Sequence, residues 1–409
     1  MHDQTYFQEL SVSNKENGYR DIIATIDISS YRRIPWEHEI PFFLCSFFDP
    51  DTKLPIAPCP RNLLKGVAEQ AEKRGLKALA GLEYEFFQFK ETTNSLAMKK
   101  GHGLQHLTPG MFGYSLQRTG LNQDYYHAVF DSSRQFDCPM EAWHTETGPG
   151  VYECALEFTE ITQMADRGAL FKFLCKSLGP KYGVLPSFMA KPSQGLPGNS
   201  GHIHISLVDK DSGANIFARD SEDKDAKYND LRFLSDIGRS FLAGVLEGLG
   251  DIMPLLAPTI NSYKRLVENF WAPVVISWGL EHRAASVRLI APPTCAPKAT
   301  RLEIRVPGSD SHPHYAMAGI LALGLRGIEK KLTLDAMPPL SLIETEVNGE
   351  RLAKSLQIAT DRFMAPSSIA REVLGDAFVD HYGSTRRHEI RQWEEAVTDW
   401  EVMRYTETV

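Results

Sequence analysis

The alternation of apolar and polar positions along the chain predicts a mixture of strands and helices. Strands are expected where β-branched and aromatic residues dominate short runs bounded by turn residues: 21–27, 41–48, 79–89, 150–160, 182–191 and 201–207. Helices are expected where apolar residues recur every three or four positions: 61–75, 161–178, 230–248, 314–331, 349–363 and 385–405. Residues 91–139 follow neither period and are predicted to be irregular.

The predicted elements mix without the regular strand–helix–strand alternation of a doubly wound sheet, so the expected fold class is α+β. The β-rich residues 18–60 end in a proline-rich stretch, Pro55 to Pro60, which indicates a domain boundary. The sequence therefore predicts a small N-terminal domain, residues 1–60, and a large second domain, residues 61–409.

The composition is that of an ordinary globular protein, and its charge argues against some classes of partner. Of 409 residues, 43% are hydrophobic and 23% are charged, with a formal net charge of −8 at pH 7. A mildly acidic chain has no electrostatic attraction to nucleic acid or to an anionic membrane. The six cysteines form no CxxC pair and no signal peptide is visible, so we expect free thiols and a cytoplasmic location.

Residues 261–305 concentrate groups that suit anions. Four arginines occur there among short β-type runs: Arg265, Arg283, Arg288 and Arg305. The guanidinium fork matches carboxylate and phosphate oxygens, and a site that holds both would need several such groups. Glu303 and Arg305 are two positions apart and so share a strand face, for which a plain surface ion pair is the alternative.

Paired glutamates upstream indicate a divalent cation site. Glu83 and Glu85 lie on one face of a strand that is largely apolar on both faces, where two carboxylates repel each other unless a cation offsets them. Such hard oxygen ligands suit Mg²⁺ or Mn²⁺. Glu146 and Glu153 flank a Gly-Pro-Gly turn that can bring them together. An exposed strand face and a surface loop are the respective alternatives.

His202 and His204 share a predicted strand face, and the preceding Gly198 and Gly201 permit close approach of a ligand to the backbone. A histidine pair of this kind is more often structural than metal-binding. The sequence contains no GxxxxGK[ST], GxGxxG, GxSxG or HExxH motif. A bound nucleotide would therefore have its phosphates held by arginines and metal ions.

Taken together and in this order, the motifs resemble the glutamine synthetase superfamily. The stretches concerned are Gly81-Leu-Glu83-Tyr-Glu85, Glu146-Thr-Gly-Pro-Gly-Val-Tyr-Glu153, Pro197-Gly198-Asn-Ser-Gly-His202-Ile-His204, Asn261-Ser-Tyr-Lys-Arg-Leu266 and Arg301-Leu-Glu303-Ile-Arg305. The resemblance implies a truncated N-terminal β-grasp domain followed by a large glutamine synthetase-type catalytic domain. It also implies a homo-oligomer of stacked rings, a decamer or dodecamer.

The resemblance implies a role for each matching residue. Two or three Mg²⁺ or Mn²⁺ ions per site would be held by Glu85, Glu146 and Glu153 and by Glu83, His202 and Glu303. The positions implied for ATP are Glu141, His204, Ser206, Lys298, Arg301, Arg283 and Arg288. Those implied for the amino-acid substrate are Arg265, Arg305, Gly198, Glu85 and Glu146, and those implied in catalysis are Arg283, Arg288, Arg305 and Trp271.

The implied reaction is an ATP-dependent ligation of L-glutamate to an amine through γ-glutamyl phosphate. Glutamine synthetases carry a glutamate, which helps to hold ammonium, at the position of Trp271. An indole can instead stack on an organic or cationic amine, so the sequence favours a γ-glutamyl amide product. The alternative for Trp271 is a residue that merely packs.

Two other functions remain open at this point. One is glutamine synthesis from ammonia, against which Trp271 and the lack of an Asp-Gly-Ser-Ser latch both count. The other is a non-catalytic, ring-forming scaffold or sensor, which a shortened N-terminal unit would suggest. No metal-ligand position implied by the resemblance is missing, and this argues against the scaffold.

Overall fold

The computed structural model describes residue 12 and residues 14–268, 271–342 and 349–409. Its strands are β1 Ile23–Ile34, β2 Ile40–Phe48, β3 Leu76–Phe89, β4 Met140–Thr145, β5 Val151–Glu160, β6 Leu185–Ser187, β7 Ile203–Asp209, β8 Trp278–Leu280, β9 Val287–Ile290 and β10 Arg301–Ile304. Its helices are α1 Pro60–Glu72, α2 Thr93–Met98, α3 Leu116–Thr119, α4 Gln123–Gln135, α5 Ile161–Leu178, α6 Asp236–Gly248, α7 Met253–Leu256, α8 Pro313–Glu329, α9 Leu356–Met364, α10 Ile369–Leu374, α11 Asp376–Glu395 and α12 Asp399–Tyr405.

The strands form one small and one large sheet. Strands β1 and β2 pair as an antiparallel hairpin. The other eight form a sheet in the order β4-β5-β3-β7-β10-β9-β8, with β6 paired to β3. Neighbours are antiparallel except β8 and β9, which run parallel. The α+β class is confirmed, with a small N-terminal sheet and a large domain that holds the long helices.

The central strand β3 has a core face and a site face. Tyr84 and Phe86 are fully buried, and both rings lie against Phe171 of α5, with centroid separations of 6.3 and 6.0 Å. Because side chains alternate along a strand, Glu83 and Glu85 point to the opposite face. Both are partly buried, so the alternative of a fully exposed face is wrong.

An ion network attaches the small hairpin to the large domain. Arg61 of α1 donates to Asp166 of α5 over 2.9 Å and to Asp27 of β1 over 2.7 Å. Nε2 of His314 in α8 lies 2.8 Å from the same Asp166 carboxylate. Burial of Asp166 alone would raise its pKa, but the bonds from His314 and Arg61 outweigh burial and the pKa is lowered.

Residues 91–139 are more regular than their sequence predicts. They contain α2, α3 and α4, and α4 buries Tyr125, Tyr126 and Val129. Polar residues break the apolar period of α4 in the sequence, so the helix gives only a weak signal. Strand β4 was not predicted either, and the strand expected at 182–191 is reduced to the three residues of β6.

Helix ends differ from prediction where a capping side chain decides them. The helix expected from Asp230 begins after Ser235, whose hydroxyl accepts a hydrogen bond from Gly238 N, while Asp230 accepts one from Leu280 N. The helix expected at 349–363 begins after the Ser355 cap. The one expected at 385–405 is divided between α11 and α12, because Thr398 caps a new helix.

The six cysteines are all free, and four of them are buried: Cys59, Cys138, Cys154 and Cys175. The expectation of free thiols is confirmed. Over the described ranges, none of the helices has both the length and the apolar character required to traverse a bilayer.

Candidate active site

Strand register brings the predicted acidic and basic residues onto one face of the large sheet. Glu85 of β3 lies opposite Glu153 of β5. Glu83 N donates to His202 O over 3.0 Å, which places these two residues side by side. On β10, Glu303 lies between His204 of β7 and Arg288 of β9. Residues far apart in sequence therefore lie together on one face of the large sheet, and this face forms the floor of the site.

Glu83, His202 and Glu303 form the first group that could hold a metal ion, with ligand atoms all within 4.8 Å of one another. Nδ1 of His202 lies 3.3 Å from a carboxylate oxygen of each glutamate. This trio is the ligand set predicted from the sequence. Imidazole and carboxylate donors together suit Mn²⁺, and the carboxylates suit Mg²⁺.

Glu303 is the most enclosed of these ligands. Its carboxylate accepts hydrogen bonds from Arg305 and, over 3.0 Å, from Arg288. Only 1% of Glu303 and 8% of Arg305 is exposed, so the surface ion-pair alternative is wrong. Burial would raise the pKa of Glu303, but His202 and Arg305 outweigh it and the pKa is lowered. The carboxylate is therefore held in its charged form.

His144, Glu146 and Glu153 form the second group, again with ligand atoms within 4.8 Å of one another. Nε2 of His144 lies 3.4 Å from Glu153. The family resemblance implies Glu85 as the third member of this set, whereas the structure brings His144 to the two glutamates. In the structure Glu85 lies beside the group, and its carboxylate accepts a hydrogen bond from Ser200 N over 2.7 Å. The signal for His144 was its position two residues before Glu146, on a strand that was not predicted.

The second group has the character of a cation site. Burial, then the charges of Glu85, Glu83 and Glu146, raises the pKa of Glu153 to about 9. One carboxylate oxygen of Glu146 is buried and accepts no hydrogen bond from any described residue. Crowded carboxylates with an unused lone pair fit a hard divalent cation, which would offset their repulsion.

A cavity of about 600 Å³ opens above both groups. Besides the metal-site residues, it is lined by three cationic side chains and by three large apolar or aromatic ones: Arg283, Arg288, Arg305, Met111, Tyr114 and Trp271. The Trp271 side chain lines this cavity and is 76% exposed, so it is not a packing residue within the chain. Met111 and Tyr114 carried no sequence signal because they lie in an aperiodic loop.

A second cavity of about 490 Å³ lies on the other side of Glu83, which lines both. Its lining includes all five further residues implied for ATP: Glu141, His204, Ser206, Lys298 and Arg301. His204 links Arg301 to Glu83, the residue that lines both cavities. Its Nε2 lies 3.0 Å from Glu83, and its Nδ1 accepts a hydrogen bond from Arg301 over 3.1 Å. Leu79 and Phe158 give this cavity an apolar side.

Arg265 is placed differently from the other arginines. It is 5% exposed, does not line the larger cavity, and donates to the carbonyls of Val306 (2.9 Å) and Arg305 (3.1 Å). Burial lowers its pKa to about 10. A Cβ on Gly198 would lie 2.8 Å from the Arg265 side chain, so glycine is needed for this close contact. Gly198 lines the cavity, with Arg265 behind it.

Comparison with known proteins agrees with this geometry. Residues 57–405 match the family model for the glutamine synthetase catalytic domain. The chain is 39% identical over 406 residues to type-1 glutamine synthetase 2 of Dictyostelium discoideum, covering 98% of this chain and 75% of the relative. It is 32% identical over 403 residues to the glutamate–isopropylamine ligase of a Pseudomonas species, covering 98% and 84%. A solved GmaS/ADP complex superposes with a TM-score of 0.79 at 26% identity, covering 94% and 85%.

The chain thus belongs to the glutamine synthetase family, and this membership makes it an ATP-dependent carbon–nitrogen ligase. The predicted family and fold class are confirmed. Membership in a family of ligases argues against the scaffold alternative, as does the complete set of candidate metal ligands.

Proposed function

We propose that this protein joins the γ-carboxylate of L-glutamate to an organic amine at the expense of ATP. The observation that carries the proposal is Trp271, an indole on the wall of the cavity that also contains the carboxylates and arginines. An indole offers no negative charge to ammonium, but its face attracts an organic cation. The similarity to the isopropylamine ligase supports an organic amine.

ATP is assigned to the smaller cavity, with its phosphates toward Glu83, where the two cavities meet. The apolar side near Phe158 suits a nucleobase, and Lys298 and Arg301 carry charge that suits phosphate. Arg288 and Arg283 of the larger cavity are assigned to the transferring phosphate.

The two ligand groups are assigned to divalent Mg²⁺ or Mn²⁺. Glu83, His202 and Glu303 would hold one ion, and Glu146 and Glu153 the other, with His144 or Glu85 beside them. When bound, such ions neutralise negative charge on a phosphoryl group during its transfer.

The chemistry takes two steps, both in the larger cavity. First, a γ-carboxylate oxygen of glutamate attacks the γ-phosphorus of ATP, the bond to the bridging oxygen breaks, and ADP leaves. Next, the lone pair of the amine nitrogen attacks the acyl carbon, the bond to the phosphate oxygen breaks, phosphate leaves with the electron pair, and the nitrogen loses a proton. Two residues that line the larger cavity, Arg305 and Gly198, are assigned to orient glutamate.

Phosphate release from ATP with L-glutamate and Mg²⁺ or Mn²⁺ tests the proposal across ammonia, alkylamines, polyamines and aromatic amines. We expect a higher kcat/KM with an organic amine than with ammonia. In Trp271→Glu the preference should move toward ammonia, while Trp400→Glu, which changes a tryptophan that does not line the cavity, should retain it. Turnover with ammonia alone would make the protein a glutamine synthetase, and no turnover with any amine would refute the ligase.

The domain division at residue 60, the ring assembly and the cytoplasmic location stay predictions. Light scattering on the purified protein tests the assembly, since a decamer or dodecamer of a 45.9 kDa chain is readily distinguished from a monomer. Limited proteolysis near Pro60 tests the division.

A further inference from the structure

We infer that Glu281 is a positioning residue for phosphoryl transfer, because its carboxylate fixes the orientation of Arg288 at the larger cavity. The inference rests on the proposed function, in which Arg288 is assigned to the transferring phosphate. Glu281 does not line that cavity and belongs to neither group of candidate metal ligands. Its role is therefore exerted through Arg288.

The guanidinium of Arg288 is held on two of its edges. Its Nε donates to Glu281 Oε2 over 3.0 Å, and its Nη2 donates to the same oxygen. On the other edge, its Nη1 donates to Glu303 over 3.0 Å. Because the group is planar and rigid, bonds on two edges fix both its position and its rotation. Three of its five N–H groups are used in this way, and two stay available to a ligand in the cavity.

Glu281 is itself held in place by its surroundings. It directly follows strand β8, and its backbone N–H donates to Leu289 O over 2.9 Å. Its φ is +53°, a conformation that a residue with a side chain adopts only when its surroundings impose it. The hydroxyl of Thr294 lies within hydrogen-bonding distance of its second carboxylate oxygen. The carboxylate is therefore in position before any ligand enters.

Strand pairing brings Glu281 to Arg288. Strands β8 and β9 run parallel, with Gly279 opposite Arg288 and Leu280 opposite Leu289. The end of β8 is also fixed by Asp230, whose carboxylate accepts a hydrogen bond from Leu280 N over 3.0 Å. The chain therefore leaves β8 at a defined point, and the first residue beyond the strand meets the Arg288 side chain.

Arg283, the other arginine assigned to the transferring phosphate, shows what Glu281 adds to Arg288. The Arg283 side chain also lines the larger cavity, but it is exposed, and no carboxylate of the described residues forms an ion pair with it. A ligand must order Arg283 when it binds, whereas Arg288 is ordered beforehand. Donors that are already oriented stabilise developing charge without a cost of reorganisation.

Loss of the Glu281 carboxylate should lower kcat more than it changes KM. Arg288 would keep Glu303 as a partner on one edge and would be free to rotate about that contact, so its two available N–H groups would lose their direction. An interaction that is strongest in the transition state appears in kcat when it is removed. The charge that Arg288 would neutralise moves during transfer of the phosphoryl group.

Steady-state phosphate release in the metal-loaded protein, with ATP, L-glutamate and the amine that gives the highest turnover, tests the inference. We expect kcat of Glu281→Ala to fall about 10–100-fold, the usual cost of losing a residue that orients a functional group. The KM values for ATP and glutamate and the Mn²⁺ affinity should stay nearly unchanged. Glu281→Gln, which keeps an acceptor oxygen for Arg288, should lose less, and it replaces Glu281→Ala in the assay if that variant does not fold.

Glu247→Ala is the matched control. Arg326 of α8, like Arg288, is held between two carboxylates, Glu247 and Glu372, and the two arginine side chains are 11% and 18% exposed. Neither Arg326 nor Glu247 lines the two cavities of the site, so Glu247→Ala should keep the kcat of the unchanged protein.

Three outcomes would overturn the inference and leave the proposed function standing. They are an unchanged kcat in the Glu281 variant, an equal fall of kcat in Glu247→Ala, and a fall of kcat that is matched by a loss of Mn²⁺ affinity. The last outcome would mean that Glu281 acts through the metal ligand Glu303. No turnover by the unchanged protein with any amine would overturn both the inference and the proposed function.

Discussion

Removal of the Glu303 carboxylate should cost both stability and metal binding. Glu303 is 1% exposed and accepts from Arg305 and Arg288, with His202 Nδ1 3.3 Å away. Removal of one partner of a buried ion pair lowers the free energy of unfolding by about 3–5 kcal/mol, because the remaining charge is left unpaired. Arg288 keeps a second carboxylate, Glu281, at 3.0 Å, so the main unpaired charge is Arg305. We therefore expect Glu303→Ala to lose about 3 kcal/mol, the lower end of that range.

Metal affinity should fall more steeply than stability. Loss of a partner outside the coordination shell typically costs about 10–100-fold in metal affinity, so loss of a direct ligand should cost about 100-fold or more. Glu303→Gln keeps the shape of the side chain and a hydrogen-bond acceptor but removes the charge. It should therefore be more stable than Glu303→Ala, but it should lose Mn²⁺ affinity as Glu303→Ala does. Urea unfolding without metal measures the first quantity, and calorimetric titration with Mn²⁺ measures the second.

Glu281→Ala is the matched control for this experiment. It removes a carboxylate from the same Arg288 guanidinium but lies outside both ligand groups. We expect it to lose some stability and to retain Mn²⁺ affinity. If the Mn²⁺ affinity of Glu303→Ala stays within about threefold of that of the unchanged protein, and does not fall about 100-fold or more, the ligand assignment is refuted. Equal losses of affinity in the two variants would show that Arg288, and not Glu303 ligation, controls binding.

Two further predictions concern buried charges behind the site. Asp310 accepts from Ser262 Oγ (2.6 Å) and Thr259 Oγ1 (3.0 Å), in the loop that leads to Arg265. Arg265 packs behind Gly198, which is assigned to orient glutamate, so Asp310→Asn should raise KM for glutamate and leave KM for ATP unchanged. Equal rises of the two KM values in steady-state kinetics would contradict this prediction. Burial lowers the pKa of Lys172 from 10.5 to about 7. Between pH 7 and pH 10.5 the unfolded chain therefore binds more protons than the folded protein. The free energy of unfolding should rise with pH in this range, by up to about 1.4 kcal/mol per pH unit. Lys172→Met should flatten that slope in urea midpoints from about pH 7 to 9, and an unaltered slope would show that another group causes it.

Local chemistry in the sequence was enough to find the floor of the site. The two-residue period of a strand placed Glu83 and Glu85 of β3 on one face, whatever strand β3 pairs with. The same period placed Glu303 beside Arg305. The motif order then identified the family, and the residue types indicated hard divalent cations before any distance was known.

Periodic patterns of this kind do not predict loops and short strands. His144 lies on a short strand with no clear alternation, and Met111 and Tyr114 lie in an aperiodic loop, so nothing in their spacing predicted that they line the cavity. The role of Arg265 also depends on the tertiary structure, and its predicted contact with the substrate stays a prediction. Its type suggested substrate contact, but two backbone carbonyls take up its guanidinium, and only the packing of its loop decides that.

The sequence by itself determined which side chains share a face within each strand, since that depends on the backbone period alone. The tertiary structure decided which faces meet. Glu83 reaches His202, 119 residues away, and Arg288 reaches Glu303 across strands β9 and β10, because strand register sets those pairs. Register depends on the burial of whole strands in a common core, a property of the assembled sheet and of no single segment.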